Sequence, residues 1–196
     1  MKLKPQNTYR HLLNFMGDGS VKPVLGTFHI TKEGHIEATD SHVLLRLLNR
    51  FSADNDLVIH PKELREVDAT YPETTRLFPT AWQSIWLLDR EEAAKMSNFL
   101  KGLKKNTTVA LTVEDKKLRV ESDEASANFQ LFDFPTGDSN GVKLTLNSTY
   151  LKKITDFISD CSVVPTKLCV SMGAFRPLVF RVDGQFEGLI AQIRTK

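Results

Sequence analysis

VLGTFHITKEGHIEATDSHVLLRLL, residues 24–48, holds the pattern that decides the fold. Three strand-like runs, VLGTFHI (24–30), HIEAT (35–39) and VLLRLL (43–48), follow one another across short polar breaks. The break at Glu33-Gly34 has hairpin chemistry, so consecutive strands are expected to pair antiparallel. The same grammar continues down the chain in SIWLL (84–88), TVALTV (108–113), KLRVES (117–122), SANFQLF (126–132), VKLTLN (142–147), KLCVSM (167–172), PLVFRV (177–182) and FEGLIAQI (186–193). Glu114-Asp115 and Asp183-Gly184 supply further turns.

Helical spacing interrupts these strands three times. Tyr9, Leu12, Leu13 and Met16 follow an i, i+3, i+4, i+7 pattern after Asn7 and Thr8. Met96, Phe99, Leu100 and Leu103 repeat it after Asp89, with Glu92 placed as a capping-box partner. Leu151, Ile154 and Ile158 make the third, opened by Asn147 or Ser148. PKELREV (61–67) is a weaker fourth candidate. The unit is strand, helix, then two or three strands, which predicts an α+β fold with helices on one face of antiparallel sheets. Trp82, Trp86, Phe129, Phe132 and Phe134 are expected on the core faces of those sheets.

The 196 residues, 41% hydrophobic and 26% charged, suffice for one large or two small domains with real cores. Lys+Arg 26 against Asp+Glu 24 leaves a formal +2, so bulk charge does not announce a nucleic-acid partner. Cys161 and Cys169 form no CxxC pair and read as reduced thiols. The N-terminal apolar run is too short for a signal peptide, and no stretch approaches bilayer length. A cytoplasmic protein without a membrane partner is expected.

Chemistry-bearing constellations are sparse. His29, His35, Asp40, His42 and His60 lack the fixed spacing of a metal site and read as strand polar residues, with His42 fixing its turn. GDGS (17–20) follows a helix, not a strand, so it makes no dinucleotide loop. Ser41 and His42 are adjacent and make no triad. Neither a catalytic constellation nor a cofactor site is expected.

The polar helix faces are basic. The first shows Arg10, His11 and Asn14 near Lys2, Lys4 and Lys22; the second Lys95, Lys101, Lys104 and Lys105; the third Lys152 and Lys153. Two readings stand: ordinary solvated faces, or one continuous surface that attracts phosphates without reading bases.

YPETTRLFPT (71–80) is bracketed by prolines that favour extended backbone, and it offers Tyr71, Leu77 and Phe78 for packing. It is expected to cross against protein.

Taken in order, VKPVLGTFHI, IEATDSHVLLRL, VIHPKEL, YPETTRLFPT, NSTYLKKI, GAFRPLVFR and LIAQIRT resemble successive parts of the bacterial β-type DNA sliding clamp, the processivity ring of the replicative polymerase. The resemblance covers nearly the whole chain. It implies a DNA-clamp-like fold of duplicated βαβββ half-modules, two per domain, arranged as a ring of domains with helices facing duplex DNA. Residues 71–80 would be the strap between two domains, 1–80 and 81–196. The implied peptide groove takes Thr39, Ser41, His42 and Leu44 from ATDSHVLL, and Pro72, Arg76 and Leu77 from the strap. Pro177 and Leu178 join from FRPLVFR, and Leu189, Ile190, Ile193 and Arg194 from near the terminus. Polymerase and clamp-loader peptides would insert there, each buried side chain contributing roughly 1.5–3 kcal/mol. Arg10, Lys22, Lys95, Lys101, Lys105, Lys152 and Lys153 would face double-stranded DNA.

The departures are specific. The family's N-terminal domain is not represented, and the second half-module of the first remaining domain is mostly missing between Leu64 and Tyr71. Val43 stands where the family has arginine, and Gln192 where it has proline. With two domains per chain, a homo-oligomeric ring of six domains would need three subunits.

Overall fold

The computed structural model describes residues 5–173 and 176–194. Lys2, Lys4 and the Phe175 of GAFRPLVFR lie outside the described residues. The three helices are α1 (Pro5–Phe15), α2 (Arg90–Gly102) and α3 (Ser148–Cys161). Asp89 caps α2 by accepting the Glu92 backbone N–H at 2.8 Å, and Asn147 caps α3 through the N–H of Thr149. Each helix is followed by three antiparallel strands: β1 (Phe28–Ile30), β2 (Ile36–Thr39) and β3 (Val43–Leu47) after α1; β7 (Thr108–Glu114), β8 (Lys117–Glu121) and β9 (Ser126–Gln130) after α2; β12 (Thr166–Val170), β13 (Leu178–Val182) and β14 (Phe186–Ile190) after α3.

Strands leading into the helices are exchanged between half-modules. β6 (Ser84–Leu88) runs into α2 but pairs with β12, while β11 (Lys143–Asn147) runs into α3 but pairs with β7. This exchange ties the two half-modules after the strap into one unit, with α2 packed along α3. Beside β1, β4 (Leu57–His60) holds the place that β11 holds beside β7. Among the described residues no helix follows it before the strap.

The expected helix over 61–67 is instead a turn followed by β5 (Arg65–Glu66), which pairs back onto β4. Leu64 sits at φ 51° and turns the chain, and seven residues are too few to sustain a helix without a packing partner. The run 24–30 also divides: residues Pro23–Gly26 form a 3₁₀ turn and only Phe28–Ile30 are strand.

Ten strands make one continuous sheet in the order β10-β6-β12-β13-β14-β3-β2-β1-β4-β5, with β10 being Thr136–Gly137; a second sheet runs β11-β7-β8-β9. The large sheet crosses from the first half-module to the last at a seam where β3 pairs antiparallel with β14, Leu44 opposite Leu189 and Arg46 opposite Glu187. Gly188 is required at that seam, because a Cβ there would overlap the Phe180 ring and the Leu44 carbonyl.

Alternation assigns the two faces of the large sheet. Val43, Leu45, Leu47, Leu178, Phe180, Phe186 and Ile190 point inward to a core shared with Leu12, Phe15, Ile154, Phe157 and Ile158 of the helices. Trp86 and Phe129 join the buried core as expected. Phe132 and Phe134 do not: they lie beyond the end of β9 and are 57% and 63% exposed. The α1 stripe is also rotated from the expected one, burying Thr8, His11, Leu12 and Phe15 and leaving Tyr9 exposed, because α1 wedges between β2–β3 and α3. No helix among the described residues is long and apolar enough to cross a membrane.

Candidate functional site

On the outer face of the sheet, opposite the helices, the seam carries a polar node and an apolar cluster side by side. Arg46 is the node. Its Nε donates to Glu37 Oε2 at 2.7 Å, its guanidinium pairs with Glu187 at 3.1 Å, and it donates to the Thr74 hydroxyl at 2.7 Å. One side chain thus ties β2, β3, β14 and the strap together. The Glu37 side chain is fully buried and also accepts hydrogen bonds from His29 at 2.8 Å and from Thr74. Burial pushes its carboxyl pKa up, but the His29 hydrogen bond, the Arg46 charge and the Arg46 and Thr74 hydrogen bonds outweigh burial and hold it below the usual range.

The strap is tied down along its length. The Tyr71 ring stacks on His29 with centroids 4.7 Å apart, and burial with the nearby Glu37 charge raises the phenol pKa. Thr75–Leu77 form a 3₁₀ turn, and the Phe78 ring lies 5.0 Å beneath the Arg46 guanidinium, a cation–π contact. A polar cleft of about 1000 Å³ remains between the strap and β1, lined by His29, Lys32, Glu37, Asp56 and Tyr71 among others.

The apolar cluster comprises Leu44, Cys169, Val179 and Leu189, one from each of β3, β12, β13 and β14; Ile85 of β6 continues this floor beside its register partner Cys169, and Phe78 and Trp82 pack against it. The first four are buried, and Ile85, Phe78 and Trp82 are half-buried. Burial lifts the Cys169 thiol pKa to about 11, so it is an inert apolar group here, as is Cys161, likewise pushed up to about 11.

The residues expected in the groove fall into five sets. Leu44 and Leu189 meet in the cluster floor, and Pro72, Arg76 and Leu77 stand exposed on the strap, Leu77 at 48%. Thr39, Ser41 and His42 form the turn at one end: Thr39 Oγ1 donates to the Val43 carbonyl, Ser41 has φ 79°, and the His42 carbonyl accepts the Ala191 N–H at 2.8 Å. Leu178 and Ile190 face the helices instead, because each is one residue out of phase with the outer face. Pro177 is half-buried before β13, Ile193 donates its N–H to the Thr145 carbonyl, and Arg194 is exposed. Sequence reading left Cys169, Val179 and Ile85 out of the groove, gave Phe78 only as a packing residue of the strap, and expected Trp82 on a core face, whereas it packs on this outer-face cluster; Val179 is the register partner of Leu189 and Cys169 of Val179, a signal visible only once the pairing is known.

The ATDSH turn is fixed by Asp40, not His42. Asp40 Oδ1 accepts the N–H groups of His42 and Val43 at 3.0 Å, whereas the His42 ring stacks on Tyr150. Gln192 accepts the Thr145 N–H and donates to the Arg176 carbonyl at 2.7 Å, pinning the tail where a proline has no such donor.

The helix face is less basic than its composition. Arg10 pairs with Asp160 at 2.6 Å, Lys95 with Glu92, Lys152 with Asp156 at 2.6 Å and Lys153 with Asp40 at 3.0 Å. His11 is buried between α1 and α3 against Asp160; burial lowers its pKa more than that carboxylate raises it. Lys22, Lys101 and Lys105 are exposed and form no ion pair among the described residues; Lys104, beyond the end of α2 like Lys105, pairs with Glu124.

No family model and no curated protein matches the chain in sequence. Its fold is that of the bacterial β sliding clamps. It is similar to the DNA polymerase sliding clamp of Bacillus subtilis at TM-score 0.79 and 18% identity, covering 97% of this chain and 62% of that one. The DNA polymerase III β chain of Streptococcus pneumoniae aligns at TM-score 0.74 and 19% identity over 100% of this chain and 65% of that one. A Helicobacter pylori β clamp solved with a DNA ligase peptide aligns at TM-score 0.73 and 14% identity, over 96% and 62%. The chain therefore spans under two thirds of the length of these solved clamps.

Proposed function

We propose that the chain is a sliding-clamp-like binding platform, without catalytic activity, working in the cytoplasm on DNA replication. In this reading residues 1–80 and 81–196 are its two clamp domains and it acts as a homo-oligomeric processivity factor around double-stranded DNA. Short peptides of polymerases and clamp loaders bind at the seam between the domains. The observation that carries the reading is the outer-face cluster of Leu44, Cys169, Val179 and Leu189, flanked by Ile85 and covered only by packing of the half-buried Phe78 and Trp82 at and just after the strap. Aliphatic floors with a few polar groups at the margin suit anchoring of one or two apolar peptide side chains. The peptide's apolar side chains reach the floor beside Phe78 and Trp82, which pack against it.

The test is a titration with a ten-residue peptide ending in adjacent leucine and phenylalanine, against its alanine-substituted control. Leu77→Ala and Trp82→Ala, both at partly exposed positions, are expected to change the affinity at least severalfold without unfolding the protein. An affinity untouched by both removes the seam as the binding site.

A second reading, a peptide-binding module that does not encircle DNA, is favoured by the ion pairs that neutralise Arg10, Lys95, Lys152 and Lys153. Retention on circular DNA with loss from linear ends separates the two: topological binding requires that difference, and equal escape from both forms leaves the peptide module alone.

A further inference from the structure

The described residues form three half-modules, an odd number where the two after the strap close as a pair. The pair after the strap shows what closure looks like: leading strands β6 and β11 are exchanged, and α2 packs along α3. The first half-module has no such partner among the described residues. Its sheet has received a leading strand, β4, in the β11 position, but the helix and three strands that should follow are replaced by a four-residue turn and β5. Helix α1 packs on α3 along one flank and, among the described residues, meets no helix along the other.

The uncompleted flank is apolar. Tyr9, Leu12, Ile36, Leu47 and Phe51 line an open hollow of about 260 Å³ with Thr8 and Arg50. Tyr9 and Phe51 are 44% and 51% exposed, and Leu64, 80% exposed, stands three residues beyond Pro61, whose carbonyl accepts the Tyr9 hydroxyl. Leu13 and Met16 extend the stripe along α1, partly uncovered. Apolar side chains grouped this way mark a surface that another surface covers.

We propose that a second copy of this chain covers it, through a two-fold axis that sets α1 of one copy along α1 of the other as α2 lies along α3. The internal pairing argues for this occupant: what completes a half-module in this fold is another half-module, and the half-module lacking a partner in one copy lacks it in the next. A two-fold contact is self-complementary, so one patch serves both sides. Two copies then form an arc of six half-modules in which no helix pair is left incomplete. The contact lies on the helix side of the sheet, away from the seam, so it stands or falls separately from peptide binding.

The test is the mass of the full chain in solution over a range of concentrations, for the native protein, Tyr9→Lys and Phe51→Lys. Burying an unpaired charge in such a contact weakens self-association by about tenfold or more. The expected result is a native species of twice the 22.2 kDa chain mass, shifted toward monomer in both variants, with circular dichroism and peptide affinity unchanged. A native protein that is monomeric at every concentration overturns the proposal, as does an oligomer whose mass resists both substitutions. A monomer also removes the homo-oligomeric ring of the proposed function, whereas an oligomer that resists both substitutions leaves it; both leave the peptide reading standing, and a dimer that binds no peptide does the reverse.

Discussion

Replacing Arg46 with methionine tests the seam at its most connected residue. The substitution keeps much of the aliphatic volume but removes the charge facing Glu37 and Glu187 and the donor to Thr74. Glu187 is partly exposed and can be rehydrated, so it adds little. Glu37 is fully buried and retains only His29 and Thr74, so it is left as an incompletely compensated charge. Breaking a buried pair in this way costs about 3–5 kcal/mol. With a urea dependence of about 2 kcal/mol per molar, the unfolding midpoint falls by about 2 M. The assay is urea denaturation followed by circular dichroism, with Glu37→Leu and the double variant completing a cycle. The double variant is expected to recover most of the loss, since it leaves no buried charge unpaired. An Arg46→Met protein within about 1 kcal/mol of the native one, or a double variant as damaged as the sum of the singles, refutes the account of the node.

Other outcomes follow from the same side-chain contacts. Because Glu37 has a depressed native pKa, its contribution is present above the ordinary value of 4.5 and is lost as pH falls through the lower native value; thermal unfolding should show an acid slope in that window that Glu37→Gln flattens. His11 is held below its ordinary 6.5 by burial, so the unfolded chain protonates first and stability declines as pH drops below about 6.5; His11→Leu is expected to reduce the slope of melting temperature against pH there. Gly188→Ala forces a Cβ against Phe180 and the Leu44 carbonyl, and calorimetry should record a loss of about 1–3 kcal/mol. If the helix side meets DNA, Lys101→Glu and Lys105→Glu should lower retention and its salt dependence more than Lys152→Glu, whose lysine is already tied to Asp156; equal effects would point to diffuse charge instead.

The parts legible in the sequence were those set by local chemistry. Asp89 and Asn147 announce α2 and α3, Gly34, Asp115 and Gly184 mark left-handed turns, and alternation locates most strands. The seam was not legible in that way, because Leu44 opposite Leu189 joins residues 145 positions apart and no local pattern fixes which of two alternating faces they share. Leu178 and Ile190 came with the resemblance, which carries positions and not sheet faces, and Val179 and Cys169 on the other face were passed over with it. PKELREV failed for a different reason: its helical signals are real, but no packing surface is present to hold so short a segment against the pairing of Ile59 with Glu66. The partners of the basic helix residues were not legible, since Asp40 reaches Lys153 and Asp160 reaches Arg10 from elsewhere in the fold.

Amide hydrogen exchange of the full chain, with and without the leucine-phenylalanine peptide, tests the seam most directly. New protection is expected in Val43–Leu47, in Phe186–Ile190 and across residues 71–82, with α1, α2 and α3 unchanged. Protection confined to the helices, or none anywhere at a peptide concentration that saturates binding, contradicts a groove built where the first half-module's sheet joins the last.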